Sequence, residues 1–185
     1  MPEDTDFQAY LQTIQEQVSK VKDIKGLQDA LRDDKLTENE LVIVYQSLGF
    51  NSKEELINLV KLQNQRKALL NNKYGLSEIS IDLKLSVTEK ALEKMKYFNK
   101  QENVGTNLRA DICETIRKSC ITSVAAESAV MHLGCAALDL SVIAGIICHA
   151  AAITYQYSAG NNCNSQAELC KRNEGGGSTS KAIVQ

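Results

Sequence analysis

Apolar residues in the first part of the chain recur at helical spacing, with polar and charged residues between them. The first apolar face consists of Phe7, Tyr10, Leu11, Ile14, Val18 and Val21. Residues three, four and seven positions apart lie on one side of an α-helix, so this pattern predicts an amphipathic helix. Asp4 or Thr5 is expected to cap its N-terminus. Leu27 and Leu31 predict a short continuation or a second helix, disturbed at Gly26.

Three further helix starts are indicated by a Ser or Thr followed three residues later by Glu, the capping-box pattern. They are Thr37–Glu40, Ser52–Glu55 and Ser86–Glu89. Gly49 and Gly75 are expected to end the first two of these helices, because glycine commonly follows a helix C-terminus. The apolar positions assigned to the three helices are Leu41, Val44, Tyr45 and Leu48; Leu56, Leu59, Val60, Leu62, Leu69 and Leu70; and Leu92, Met95 and Phe98.

The stretch from Leu76 to Leu85 is ambiguous, because its apolar residues Ile79, Ile81 and Leu83 alternate with polar ones as in a β-strand. A single strand would have no partner here, so we interpret this stretch as helix or loop. The chain has one proline in 185 residues, which favours uninterrupted helices. We therefore predict an all-α fold.

The composition changes sharply in the second part of the chain. Residues 101–107 (QENVGTN) are polar, and residues 140–167 contain no Asp, Glu, Lys or Arg. We predict a polar, cysteine-free helical region at 1–107, followed by an apolar six-cysteine module at 108–172 that forms a helical hairpin or small bundle. The first region is either a leader-like cap or part of one bundle with the module. Residues 173–185 are Gly/Ser-rich and are predicted to be a disordered tail.

All cysteines of the chain lie in the module: Cys113, Cys120, Cys135, Cys148, Cys163 and Cys170. An even number in one short segment is typical of a disulfide framework. Disulfides persist in oxidising compartments, so we expect a secreted or extracytoplasmic protein. The acidic first residues show no signal-peptide pattern, which leaves a removed signal or a dedicated exporter. The alternative is a cytosolic protein with six reduced, buried cysteines.

The intervals between successive cysteines are 7, 15, 13, 15 and 7 residues, the same in both directions. At 100° per residue, the first three cysteines fall within about 60° of one another on a helix, and so do the last three. Facing stripes on two antiparallel helices would pair Cys113 with Cys170, Cys120 with Cys163, and Cys135 with Cys148. Fifteen pairings are possible, and the sequence does not exclude the others. Helix breaks at Gly134, Gly145 or Gly160 would weaken the phase relation.

Residues 136–157 are apolar and rich in small side chains. The stretch is about long enough to span a bilayer, near 20 residues, which favours a membrane-active peptide. Asp139, His149 and Gln156 interrupt it, and ionisable groups are costly in lipid. We therefore favour a buried helix of a small bundle.

The charge of the chain does not indicate a particular class of partner. The formal net charge is −2, so there is no basic footprint for nucleic acid. The basic pairs Arg117-Lys118 and Lys171-Arg172 suit anionic lipid headgroups, although ordinary solvated charge is the simpler interpretation.

The two histidines raise the question of a metal site. His132 and His149 lie close in sequence to Cys135 and Cys148, a ligand set that zinc accepts. The adjacent Cys148-His149 pair suits one tetrahedral site poorly, and the nested pairing already uses both cysteines. We predict no metal site.

Catalytic chemistry is not indicated either. Glu127 is expected on a solvated helix face, and Asp139 at a helix cap. The sequence has no nucleophile–base pair and no phosphate- or dinucleotide-binding fingerprint. We predict a protein that is not an enzyme and holds no cofactor.

Two Cys-x6-Cys pairs around a helix–turn–helix resemble the glycocin class of bacteriocins, in which nested disulfides join two short helices. The matching residues are Cys113/Cys120 and Cys163/Cys170. The inner segment here is longer, holds a third cysteine pair and is not preceded by a Gly-Gly export site. The polar front and cysteine-rich end are also similar to long precursors of the halocin and fulvocin types.

The resemblance implies an exported antimicrobial precursor whose active unit is the six-cysteine module. Its implied partners are membrane lipid or a target-cell receptor, together with export or processing machinery. The alternative from the residues alone is an extracytoplasmic, disulfide-stabilised helical protein with a binding or structural role.

Overall fold

The computed structural model describes residues 1–32, 35–95, 108–135 and 142–175, and for 108–111 and 173–175 it describes the backbone alone. Every regular element in these ranges is a helix, which confirms the all-α prediction. The predicted boundary at 101–107, the cap at Asp139, the position of Phe98 and most of the predicted tail lie outside the described residues. The helices are α1 (Thr5–Ser19), α2 (Ile24–Ala30), α3 (Glu38–Ser47), α4 (Lys53–Tyr74), α5 (Ile81–Lys94), α6 (Leu108–Cys135) and α7 (Val142–Gly175).

Local capping chemistry sets several of the helix starts. The Asp4 carboxylate accepts a hydrogen bond from the backbone N–H of Phe7, 2.9 Å away, and so caps α1. Thr37 and Glu40 form the predicted capping box at α3. Ser52 caps α4 by accepting from the N–H of Glu55. The two predicted C-terminal glycines, Gly49 and Gly75, adopt positive φ angles of 85° and 61°.

The predicted start of the fifth helix at Ser86 is wrong. The helix α5 begins at Ile81, and the side chain of Ser80 accepts the N–H of Leu83. Ser86 therefore lies inside α5, where the Ser-x-x-Glu pattern has no free N–H groups to cap. Residues 76–80 of the alternating stretch form a turn before α5, and residues 81–85 form its first turns, with Ile81 and Leu83 exposed.

The glycines expected to disturb helices do not break them. Gly26 lies within α2 without ending it, and Gly134, Gly145 and Gly160 lie within unbroken helices α6 and α7.

The buried face of α4 contains only some of its predicted apolar positions. On α4 the buried positions are Leu56, Val60, Gln63 and Leu70, which share one face. Leu62 and Leu69 are exposed, because they lie about 100° away from that face.

The two long C-terminal helices lie side by side, and each contributes to a different hydrophobic core. The first core joins residues of α1, α4 and α5 to the α6 residues Ala125, Ala126, Ala129 and Leu133. The second joins residues of α2, α3 and α4 to the α7 residues Ile146, Ala150 and Ile153. The N-terminal helices therefore cover apolar surface on both helices of the cysteine module.

Candidate functional site: the stapled hairpin and its buried histidine pair

Three disulfides join α6 to α7 along their length. They pair Cys113 with Cys170, Cys120 with Cys163, and Cys135 with Cys148, with Cα–Cα distances of 5.8, 5.8 and 5.4 Å. This is the nested arrangement that the symmetric cysteine spacing favours. Each bridge restricts the unfolded chain and typically contributes about 2–4 kcal/mol of stability. We call the α6–α7 pair with its three bridges the stapled hairpin.

Polar contacts between the two helices accompany the disulfides. The hydroxyl of Ser128 donates to the backbone oxygen of Ala152 at 3.1 Å. The hydroxyl of Tyr155 donates to the Glu127 carboxylate, and this bond together with burial raises the pKa of Tyr155 to about 12. The expectation that Glu127 lies on a solvated face is therefore wrong: its carboxylate is half-buried and contacts the opposite helix.

The two predicted basic pairs lie near the Cys113–Cys170 end of the hairpin. Arg117 donates to Glu114, 2.9 Å from Nε to the carboxylate oxygen, and Lys171 lies 3.6 Å from the same carboxylate. The hydrogen bond from Arg117 lowers the pKa of Glu114. Arg172 is 4.0 Å from Glu168. Lys171 thus forms an ion pair across the two helices, whereas Arg117 and Arg172 pair with acids on their own helices.

The two histidines meet inside the stapled hairpin. The Nδ1 atoms of His132 and His149 are 2.6 Å apart. The ring centroids are 4.9 Å apart and the ring planes differ by 23°, so the two rings lie edge to edge. The two residues are only 3% and 4% exposed. A single hydrogen bond between two Nδ1 atoms requires one neutral ring to donate and the other to accept. The rings must therefore be in different tautomers.

The outer sides of the histidine pair face the N-terminal helices. A cavity of about 10 Å³, the size of one water molecule, lies between the two rings, Ile14 and Gln17 of α1, and Leu59, Val60 and Gln63 of α4. Both histidine Nε2 atoms and the side-chain oxygens of Gln17 and Gln63 are buried without a hydrogen-bond partner. Unpartnered polar atoms of this kind destabilise a core by about 1–3 kcal/mol each.

A second polar contact crosses the same interface. The side-chain nitrogen of Gln156 on α7 donates to the side-chain oxygen of Gln15 on α1 at 2.5 Å. The glutamines of α1 and α4 are not among the residues predicted to contribute to a site. The spacing of the two α1 glutamines indicates that they face the core. Gln15 lies four residues after the apolar Leu11, and Gln17 lies three residues after the apolar Ile14. Polar residues at core-facing positions of an amphipathic helix indicate a buried polar contact.

Burial makes the charged form of both histidines unfavourable. Desolvation and then the positive charge of Lys67 lower the pKa of His149 to about 4. Desolvation and then His149 lower the pKa of His132 well below its ordinary value. Both rings are therefore neutral at pH 7.

The disulfide Cys135–Cys148 takes the two thiolates that a zinc site with His132 and His149 would require. In the described ranges no three His, Cys, Asp or Glu side chains are grouped so as to hold a metal ion. The contact that the structure shows for the two histidines is the hydrogen bond between their Nδ1 atoms.

Between Val142 and Arg172, helix α7 is long and apolar enough to cross a membrane, with a mean hydropathy of 1.2. In the folded protein its inner face is part of the second core, through Ile146, Ala150 and Ile153. Only 39% of its most apolar stretch is buried. In this fold α7 is a core helix that keeps an apolar outer surface.

No protein-family model matches the chain, and comparisons with curated proteins and with solved structures found no match either. Any functional assignment rests on the chemistry of the stapled hairpin.

Proposed function

We propose that this chain is an exported, bacteriocin-like protein whose membrane-active unit is the stapled hairpin, held in a resting form by the N-terminal helices. The observation that carries the proposal is the placement of the cross-links. All six cysteines bridge α6 to α7, so no disulfide ties the hairpin to α1–α5. The N-terminal helices can separate while the hairpin keeps its shape.

The composition of the hairpin supports an action on lipid. From Leu140 to Ala167 the chain has no Asp, Glu, Lys or Arg. Near the Cys135–Cys148 end, the side chains of Met131, Val142 and Ile143 are 41%, 47% and 43% exposed. Exposed aliphatic side chains at one end of an apolar hairpin suit insertion into a bilayer. Membrane lipid is the proposed partner.

The cross-links support an extracytoplasmic location. Three disulfides are typical of proteins that mature in an oxidising environment. Secretion, by a dedicated exporter or by a removed signal, is part of the proposal, and so is an antimicrobial rather than a catalytic role.

The test is to free the hairpin without unfolding it. A specific protease site replaces residues 101–107 of the oxidised full-length protein, and the cut hairpin is separated from the N-terminal fragment. We expect the freed hairpin to release dye from phosphatidylcholine/phosphatidylglycerol vesicles, and the uncut protein and the N-terminal fragment to release little. A correctly oxidised hairpin that is inert toward vesicles and toward a panel of indicator bacteria would contradict the proposal.

A specific observation favours a second candidate, an extracytoplasmic binding protein. A surface groove of about 530 Å³ lies between α2 and α7, lined by Gln28, Leu31, Ala151, Tyr155 and Asn162, among others. A binding protein of this kind would need both halves of the chain to form its groove. It predicts that the cut fragments stay associated and that the hairpin alone has no activity.

A further inference from the structure

We propose that the His132–His149 pair is an acid-sensitive latch, whose protonation releases α1 and α4 from the stapled hairpin while the disulfides keep α6 and α7 together. The latch would supply a trigger for the proposed membrane-active hairpin, and that part of the inference rests on the proposed function. The opening itself is a property of the fold and can be measured without a membrane.

The first step is the geometry of the pair. With the Nδ1 atoms 2.6 Å apart, one proton lies between the two rings. A second proton would place two N–H groups against each other and turn a hydrogen bond into a repulsive contact. Full protonation is therefore incompatible with the edge-to-edge arrangement of the rings.

The second step is the direction in which the pair can move. Cys135 lies three residues after His132, and Cys148 directly precedes His149. Their bridge, with a Cα–Cα distance of 5.4 Å, holds α6 to α7 beside the rings. The hairpin therefore cannot open locally to let water reach the imidazolium groups.

The third step is the other side of the pair. Its outer wall consists of Ile14 and Gln17 of α1 and of Leu59, Val60 and Gln63 of α4. The cavity between them, about 10 Å³, has room for about one water molecule. Hydration of two imidazolium rings requires more, so α1 and α4 must move away from the hairpin.

The surrounding charges do not compensate the positive charge of a protonated histidine, and they therefore favour opening. The α1 side chains at the cavity, Ile14 and Gln17, are uncharged. From α4, Lys67 acts on His149 with the same sign as an imidazolium. On α7 no charged residue occurs before Glu168, and the α6 acid Glu127 is hydrogen-bonded to Tyr155.

The buried titratable group of α1 is a phenol. The hydroxyl of Tyr10 on α1 is fully buried without a hydrogen-bond partner, and burial raises its pKa above the ordinary value. Tyr10 therefore stays neutral throughout the acid range. Among the described cavity-lining residues there is no carboxylate to stabilise a protonated histidine.

The pH window follows from the direction of the shifts. An exposed histidine has a pKa of about 6.5, and desolvation and Lys67 lower that of His149 to about 4 in the closed form. The open form thus binds more protons between these values, so the closed form loses stability as the pH falls from 6.5 toward 4. At higher pH the latch stays closed.

Hydrogen exchange on the oxidised full-length protein tests the latch. Exchange is followed by mass spectrometry from pH 7.5 to 4 and corrected for the intrinsic pH dependence of amide exchange. We expect the protection of α1 and α4 to fall on the order of tenfold or more below pH 5, while α6 and α7 remain protected. Unchanged protection of α1 and α4, or equal loss in all four helices, would overturn the inference.

Two variants make the test specific to the histidines. The double variant His132→Gln/His149→Gln keeps polar side chains and removes the titration, so its α1 and α4 should show no transition between pH 6.5 and 4. Lys67→Gln removes the like charge and should move the wild-type transition to lower pH. If the double variant does not fold, NMR titration of the wild-type histidines replaces it, and protonation that fails to coincide with opening refutes the latch.

Vesicle leakage on the same samples separates this inference from the proposed function. Acid-induced opening with leakage supports both. Opening without leakage supports the latch and counts against a membrane-active hairpin. Leakage by the freed hairpin, without acid opening of the intact chain, leaves the proposed function standing and refutes the latch.

Discussion

At the scale of single residues, the interface between α1, α4 and the stapled hairpin combines apolar packing with a few buried polar groups. Gln15 and Gln156 share one hydrogen bond across 141 positions of sequence, while the side-chain nitrogen of Gln15 and the side-chain oxygen of Gln156 are buried without a partner. The histidine pair satisfies only its inner nitrogens. The Gln15–Gln156 and His132–His149 bonds favour this alignment of the helices, because a shift of one helix along another would break them.

The Gln15–Gln156 bond can be tested by a double-mutant cycle. Gln156→Leu alone leaves the side chain of Gln15 buried without its partner, and we expect a loss of about 1–3 kcal/mol in the free energy of unfolding. The double variant Gln15→Leu/Gln156→Leu places two apolar groups in contact and should recover most of that loss. Urea unfolding at pH 7 measures both values. Additive losses in the double variant would show that the two glutamines are not coupled.

Substitution by alanine should have opposite effects on stability at Gly49 and Gly134. Gly49 has a φ angle of +85°, and a Cβ there would lie 2.6 Å from the backbone oxygen of Lys20. Gly49→Ala should therefore destabilise the protein by more than about 1 kcal/mol. Gly134 lies inside α6 with nothing within 4 Å of its Cβ position, so Gly134→Ala should stabilise by roughly 0.5–1 kcal/mol. Thermal unfolding of the two variants compares them, and equal shifts would contradict this explanation.

At the scale of elements, the start of α5 illustrates how a capping pattern is chosen. Ser80 and Ser86 could each cap a helix by accepting the backbone N–H of the residue three positions later. The helix begins at the first, where the Ser80 hydroxyl accepts the N–H of Leu83. Starting there adds a turn of backbone hydrogen bonds, and Thr88 then donates to the backbone oxygen of Lys84 inside the helix.

Alanine substitutions distinguish the two serines. Ser80→Ala removes the cap of α5 and should lower the free energy of unfolding by about 1 kcal/mol. Ser86→Ala removes no cap and replaces a weaker helix former, so its effect should be neutral or slightly stabilising. Chemical denaturation of both variants gives the comparison. A larger loss for Ser86→Ala would return the helix start to Ser86.

At the scale of the whole molecule, the stapled hairpin is enclosed by noncovalent contacts alone. Each of its helices packs into a core shared with the N-terminal region, while every covalent cross-link is internal to the hairpin. Stability is thus unevenly distributed: the hairpin resists opening, and its attachment to α1–α5 depends on packing and on the protonation of two histidines. This arrangement favours separation of the two parts as units.

The position of the innermost bridge gives a prediction about the entire molecule. In the variant Cys135→Ser/Cys148→Ser, α6 and α7 are free to separate beside the histidine pair. At pH 4.5 we expect hydrogen exchange to show loss of protection in α6 and α7 together with α1 and α4. The matched variant Cys113→Ser/Cys170→Ser removes the bridge at the far end and should keep the protection of α6 and α7 near the histidines. Identical exchange patterns in the two variants would contradict a local role for the inner bridge.

Much of the helical structure was predictable from the sequence, and the cysteine spacing favoured one cross-linking pattern among the fifteen possible. The periodicity of Phe7 to Ile14, the cap at Asp4 and the box at Thr37 are local features, because each involves residues within one or two helical turns. The cysteine pairs are far apart in sequence, but their pairing also depends on regular helix geometry. Two antiparallel helices of known pitch bring residues at matching intervals face to face. For this reason the nested pairing could be favoured without knowledge of the tertiary structure.

The buried site was decided by the tertiary structure. Nothing near Gln15 in sequence indicates Gln156, and nothing near Glu127 indicates Tyr155, because these partners meet only when distant helices pack. The face of α4 that is buried, the start of α5 and the contact between His132 and His149 likewise depend on which neighbours remove each side chain from water. Local sequence determined which segments are helical and where cysteines could pair; the packing of those helices decided which polar groups became buried together.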